Sequence, residues 1–309
     1  MPLIVTGTVG IDTVYTPEHG HRENVLGGSC TYFAAAASFY CKPIRVVAAV
    51  GDDFPDELRK TMDQFDGIDQ TGLEVRKGSK TFRWGGKYME NMDQRETLYT
   101  DLGVLAEEPP AVPQSFRDSK YVFLANTHPS VQIGLLEQLN DRKLAVADTM
   151  DLWIDTARPE LIQLCEKIDG LVLNFDEAEQ LTGKRNTVAA ARHILEMGPK
   201  FVVVKKGEHG CIIVHREGIA ALPAYPTEEV VDPTGAGDSF AGGMMGFLAS
   251  EGDKGADPTS FQAIHQAVAH GTIVASYNIE SFSLDRLASL TQSELDERYQ
   301  QFFRMVRFG

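Results

Sequence analysis

The chain has 309 residues, 43% of them apolar, which is enough to bury a large core. A formal net charge of -15 opposes adsorption to nucleic acid or anionic membranes, so a phosphate-bearing ligand must be held by local features. Four scattered cysteines, Cys30, Cys41, Cys165 and Cys211, contain no C-x-x-C pair; this excludes a disulfide framework or zinc-ligand spacing and predicts reduced thiols in a cytoplasmic setting.

Residues 1–5 carry no basic leader and turn polar at Thr6, so they read as a first strand and not a signal peptide. No apolar run nears the ~20 residues that span a bilayer. Further strands are predicted at 46–50, 121–124, 144–147, 171–173 and 201–204, because continuous Val/Leu/Ile runs suit strands covered on both faces. Amphipathic helices are predicted over 56–65, 131–138, 160–167 and 188–197. Strand and helix in alternation point to an α/β fold with a mostly parallel sheet covered on both sides.

Two stretches break that rhythm, residues 13–26 and 81–100. In the second, Phe82, Trp84, Tyr88, Leu98 and Tyr99 alternate with polar residues around Gly85-Gly86, a pattern that suits hairpin strands. Both read as parts of a small β lid on a single domain spanning 1–309. Its exposed strand edges also offer a clasp for a homodimer. The chain closes with an expected amphipathic helix over 291–308, with Leu295, Phe302, Phe303 and Val306 inward. His270, on an apolar helix, reads as structural.

Residues 230–249 carry the chemistry. The small turn Gly235-Ala236-Gly237 leads into a long helix of small and apolar residues. Successive N–H groups at such a turn, backed by the helix dipole, form an anion site with no basic side chain. Asp238 follows at once. Taken alone, an Asp there reads equally well as a cap or dipole partner. Beside a phosphate it would repel the ligand, unless it takes a proton from an attacking hydroxyl or acts through a cation. The Lys-Ser/Thr of a Walker A loop is missing, as is a dinucleotide fingerprint after the first strand.

The string Asp232-Pro233-Thr234-Gly235-Ala236-Gly237-Asp238-Ser239-Phe240 resembles the C-terminal signature of the ribokinase-like, or PfkB, family of carbohydrate and nucleoside kinases. Further family-like features stand in order along nearly the whole chain: Gly10-Ile11-Asp12, Gly27-Gly28-Ser29, Asn174-Phe175-Asp176-Glu177, Lys205-Lys206-Gly207-Glu208-His209-Gly210 and Ala275-Ser276. The resemblance implies a three-layer α/β sandwich with a small β-strand lid and an ATP- and Mg2+-dependent kinase. It implies Asp238 as catalytic base, with Gly235, Ala236 and Gly237 holding the transferred phosphoryl group. Asp12, Gly27, Gly28 and Ser29 would bind the acceptor together with Asp238. Asn174, Lys205, Gly207, Gly210, Gly235, Gly237 and Ala275 would line the ATP site. Glu177 would serve Mg2+ through water, and Asp232 would serve a monovalent cation such as K+.

The chain departs from the family pattern at Tyr32, where many relatives have Asn, and at Asp53-Phe54-Pro55 and Phe282-Ser283. The first two departures touch acceptor specificity, the third the monovalent-cation site. The expected acceptor is a small molecule bearing a hydroxymethyl group, either an adenosine-like nucleoside or a ribose- or fructose-like sugar. A non-catalytic sensor on the same fold is the competing class, and an intact Asp238 argues against it. Trp84 and Phe82 read as packing residues.

Overall fold

Short runs of Val, Ile, Leu and Ala, buried on both faces, build the larger of two sheets in this computed structural model, which describes residues 1–307. The strands are β1 (Leu3–Thr6), β2 (Gly10–Thr16), β3 (Gly20–Gly27), β4 (Ile44–Gly51), β5 (Ile68–Arg76), β6 (Phe82–Tyr88), β7 (Arg95–Asp101), β8 (Tyr121–Leu124), β9 (Leu144–Asp148), β10 (Gly170–Asn174), β11 (Phe201–Lys205), β12 (Cys211–His215) and β13 (Ile219–Leu222). The helices are α1 (Ser29–Ala37), α2 (Asp56–Met62), α3 (Pro129–Leu136), α4 (Asp151–Thr156), α5 (Arg158–Cys165), α6 (Phe175–Thr182), α7 (Thr187–Glu196), α8 (Ala236–Asp253), α9 (Phe261–Asn278), α10 (Asp285–Ser289) and α11 (Gln292–Val306).

The large sheet runs β13-β12-β11-β10-β9-β8-β1-β4-β5. It is parallel from β11 to β5, and β12 and β13 are antiparallel additions at one edge. Successive strand residues face opposite layers. Val5, Val146 and Val203 pack with α1, α8 and α9, while Ile4, Ala145 and Val202 pack with α3, α5 and α7. Helices therefore cover both faces, giving the expected three layers.

Small residues let α8 lie close to its neighbours. A Cβ on Gly242 would collide with the Phe33 carbonyl of α1, and Gly243 faces Gly271 of α9. His270 of α9 is stacked between Phe247 and Tyr299, at 4.1 and 4.2 Å, and burial pushes its pKa down to about 4. It is a neutral packing residue. All four cysteines are free thiols.

One expectation is corrected at the C-terminus. Leu295 and Phe302 are buried on α11, but Phe303 is 43% exposed. Adjacent helical residues point about 100° apart, so 302 and 303 cannot share the inward stripe. Val306 is half-buried against the core, and Phe308 lies outside the described residues.

The small sheet has the order β3-β2-β6-β7, with β2 and β6 parallel. It begins at Gly10, only four residues beyond the end of β1, so the lid starts earlier than the sequence pattern suggests. Asp53 ties its far side to the loop after β4, accepting from the Thr81 N–H and hydroxyl at 2.7 and 2.8 Å. No helix among the described residues is long and apolar enough to cross a membrane.

Candidate active site

The chemistry-bearing residues gather where parallel strands end, the usual ligand edge of an open α/β sheet. Asp148 closes β9, Asn174 closes β10 and Lys205 closes β11. Facing them is the turn that starts α8. Gly235 is its N-cap, with φ 75°, a left-handed conformation that glycine adopts without strain. The ring of Tyr32 lies directly beneath it, so that a side chain on Gly235 would strike the ring.

The turn is held on both sides. The Thr234 N–H donates to Asp232 Oδ1 at 2.8 Å, and Asn278 Nδ2 donates to the Thr234 carbonyl at 2.9 Å. Ser239 Oγ donates to Asn278 Oδ1 at 3.1 Å, which fixes that amide. Asn278 is the last residue of α9, so the helix that follows α8 clamps the turn. Nothing in the sequence motif singles it out.

Asp238 stands in the first turn of α8. Burial raises its pKa to about 6 against the opposing charges of Lys205 and Arg95. Lys205 reaches the turn directly: its Nζ lies 2.7 Å from the position a Cβ on Gly237 would take. Lys206, by contrast, turns toward Phe175, with its ammonium 5.8 Å from the ring centre.

Asp12, on β2, is 4% exposed. Burial, reinforced by Asp232 and Asp238, raises its pKa to about 8. Gly27 is a glycine because the Asp12 carboxylate fills the space of a side chain there, and Gly28, with φ 95°, lies against the backbone of Thr8 and Val9. Ser29 is placed beside this pair, but its Oγ is engaged with Thr8, 3.2 Å from the amide and 3.1 Å from the hydroxyl.

Asn174 and Glu177 form a reciprocal capping box at the start of α6. The Glu177 N–H donates to Asn174 Oδ1 at 2.8 Å, and the Asn174 N–H donates to Glu177 Oε2 at 2.7 Å. Burial raises the pKa of Glu177 while Lys205 lowers it. Asp148, which sequence reasoning missed, is buried with Oδ1 unpartnered. Burial and the nearby Asp238 hold its pKa well above the ordinary range. A polar residue closing an apolar parallel strand was its one signal.

Gly207 has φ 54° and faces the Asp93 carboxylate, 2.9 Å from its would-be Cβ. Gly210 abuts the Leu222 carbonyl, so its small size serves packing against β13. Ala275 is half-buried on α9, next to the core. Asp232 is fully buried, and burial raises its pKa. The described residues contain no group of three His, Cys, Asp or Glu side chains arranged to hold a metal.

The lid meets the turn through Tyr88, whose Oη and Thr234 Oγ1 share a hydrogen bond at 3.2 Å. Trp84, half-buried, lies along its own strand over Gly86 and donates from Nε1 to Thr97 Oγ1 at 3.4 Å.

A buried carboxylate at the head of an anion-binding turn, with a lysine against that turn and a second carboxylate on a lid strand, suits phosphoryl transfer to a hydroxyl. Residues 6–287 match the pfkB family carbohydrate kinases. The chain belongs to this family. It is a phosphotransferase acting on hydroxyl groups, a sugar or nucleoside kinase. A cytidine kinase of Thermococcus kodakarensis is 30% identical over 252 residues, covering 79% of this chain and 87% of that protein. A nucleoside kinase of Burkholderia thailandensis, solved with inosine, superposes with a TM-score of 0.77 at 19% identity, covering 98% of this chain and 99% of that one. An Escherichia coli protein assigned as ribokinase II, solved with ATP and Mg2+, gives 0.75 at 17% identity over 97% and 99% of the two chains. The fold is that of the ribokinases.

Proposed function

We propose that this PfkB kinase transfers the γ-phosphate of ATP to the hydroxymethyl group of a nucleoside. The observation that carries the transfer chemistry is Asp238, buried at the head of α8 beside Gly235, Ala236 and Gly237, with Lys205 against the same turn. Asp238 takes the proton of the acceptor hydroxyl, and the turn amides hold the charge that develops on the phosphoryl oxygens. Asp12 binds the acceptor's other hydroxyls. With its pKa near 8 it is largely protonated at neutral pH in the open site, so it can donate as well as accept. Gly27 and Gly28 keep that floor free of side chains, Ser29 braces it through Thr8, and Asn174, Gly207, Gly210 and Ala275 border the nucleotide.

The unpartnered Oδ1 of Asp148, with Glu177 nearby, fits a divalent cation, because burial outweighs the opposing charge of Lys205 at both carboxylates. Mg2+ there would neutralise the ATP phosphates while keeping most of its waters. Asp232, buried behind the turn, fits a K+ ion. Rates in KCl against tetramethylammonium chloride check that assignment.

The nucleoside assignment is supported by the cytidine kinase relative, by the inosine-bound neighbour and by the indole of Trp84 on the lid, a flat apolar surface suited to a base. The exposed outer strands of the lid, β3 and β7, fit a clasp between two copies, which sedimentation velocity can test. A phosphorylation screen with ATP and Mg2+ across ribonucleosides, pentoses and hexoses tests the function. Nucleoside kcat/KM values exceeding those of free sugars by about 10²-fold or more support it, since ring contacts of this kind give discrimination of that order. Equal or better use of ribose or fructose would sink the nucleoside reading.

A further inference from the structure

The segment after α9, residues 279–284, lies between the phosphate turn and the lid. The Ile279 carbonyl accepts from the N–H groups of Val231 and Asp232, at 2.8 and 3.3 Å. Four residues on, Ser283 donates from its N–H to Asp232 Oδ2 at 3.5 Å and from Oγ to the Leu26 carbonyl at 2.6 Å. Asp232 is the residue whose other oxygen holds the Thr234 N–H. Leu26 directly precedes Gly27, whose missing side chain makes room for the Asp12 carboxylate, and Gly28, which lies on the backbone of Thr8 and Val9. A continuous path of polar contacts thus runs from the phosphate turn, through Asp232 and Ser283, to the floor that carries Asp12.

The conformation of Ser283 singles it out. Its φ is 52°, in the left-handed region that glycine enters freely and other residues enter at a cost. Glycine would adopt that backbone more readily, so the serine is explained by what its buried side chain does. Its neighbour Phe282 is buried too, and packs with Val14 of β2 and Tyr88 of β6. The Arg22 guanidinium, from β3, rests 5.0 Å from the centre of the Phe282 ring. Two adjacent residues of a core loop therefore grip three strands of the lid, at the positions where the sequence departs from the family pattern.

We infer that Ser283 is a positioning residue for the acceptor, fixing Gly27, Gly28 and Asp12 at the spacing from the phosphate turn that the acceptor must span. The inference rests on the proposed transfer reaction. There the acceptor's hydroxymethyl group must reach Asp238 while its other hydroxyls lie on Asp12. Ser283 acts through the Leu26 backbone and exchanges no proton with the reactants. An error in the spacing of floor and turn weakens the grip on the acceptor and leaves the nucleotide side alone. Small misplacements of this kind, on the order of 1 Å, cost up to about 10²-fold.

The experiment compares the full chain with Ser283→Gly and Ser283→Ala, using the best acceptor from the screen. Both variants lose the hydroxyl, but only glycine relieves the left-handed backbone, so Ser283→Gly is expected to melt above Ser283→Ala. Both are expected to raise the acceptor KM by about tenfold or more, with the ATP KM within about threefold of wild type. A defect shared by two variants of different stability separates positioning from folding. An acceptor KM within about threefold of wild type in Ser283→Gly overturns the inference. So does an equal rise in the ATP KM, which would tie Ser283 to the phosphate turn alone. Hydrogen exchange at the amides of residues 26–28 reads the floor without turnover, and is expected to quicken by about tenfold in Ser283→Gly. If the wild type phosphorylates no acceptor, the transfer reading fails, and unchanged exchange at these amides would reject Ser283 separately.

Discussion

The ring of Tyr32 forms the floor under Gly235, so close that no side chain could be accommodated on that glycine. The Tyr32 hydroxyl is buried and has no hydrogen-bond partner, and Asp232, Asp12, Tyr88 and Asp238 all act on it. The ring therefore holds the turn, while the hydroxyl is a liability. Tyr32→Phe is expected to leave stability unchanged or raise it, because an unsatisfied buried hydroxyl costs about 1–3 kcal/mol. Tyr32→Ala should cost about 3–5 kcal/mol, the usual penalty for emptying an aromatic site. Urea unfolding of both variants measures the difference.

Replacing Asp238 by Asn should lower kcat by about 10²–10⁴-fold with folding intact. In the wild type, kcat/KM is expected to rise with pH through about 6, since the base acts only when ionised and its pKa is raised to about 6. Lys205 and Arg95 both favour the ionised form. Removing either cation should move the acidic limb to higher pH, which a pH–rate profile would show directly.

Glu177→Gln keeps the geometry of the capping box, in which Gln can replace Glu. It removes one of the charges available to a divalent cation. The expected outcome is a Mg2+ requirement raised by about tenfold at near-constant melting temperature. An unchanged Mg2+ titration would count against a metal-side role for Glu177.

Asp12 links function to stability. Its pKa is raised from 3.8 to about 8 in the folded protein, so the folded state holds a proton that the unfolded chain releases. Its contribution to stability is therefore greatest below about pH 4 and declines as pH rises to about 8. Asp12→Asn should melt at least about 2 °C higher than wild type at pH 8, with the gap closing near pH 4, while activity falls. Thermal melts across that pH range would check the sign.

Much of the site was legible because it is contiguous in sequence. Residues 232–240 carry a turn, a helix start and a carboxylate in one string, and Asn174 with Glu177 stands directly at a strand end. The parallel core was legible for a similar reason, since runs such as Phe201–Lys205 show their burial in composition alone. Arg95 was not, because its facing depends on the register of β6 against β7, which shifts between Gly85 and Gly86. The antiparallel β12 and β13 were also missed: Ile219 and its neighbours on β13 form a short edge strand without a buried run. Asn278 gave no signal, since its partner Thr234 is 44 residues away.

The lid is continuous with the core. β1 ends at Thr6 and β2 begins at Gly10, while β3 ends at Gly27, immediately before the helix that carries Tyr32. The chain thus crosses between the two sheets at the residues proposed to bind the acceptor. Such a lid cannot shut over an empty floor or open over a filled one without moving Asp12. On the proposed role of Asp12, an acceptor that grips it would pull the lid down with it, and a poorly gripping one would leave the lid ajar. Selectivity in this kinase would then register as a difference in lid closure, and acceptors could be ranked by how strongly each protects the backbone amides of β6 and β7 from hydrogen exchange.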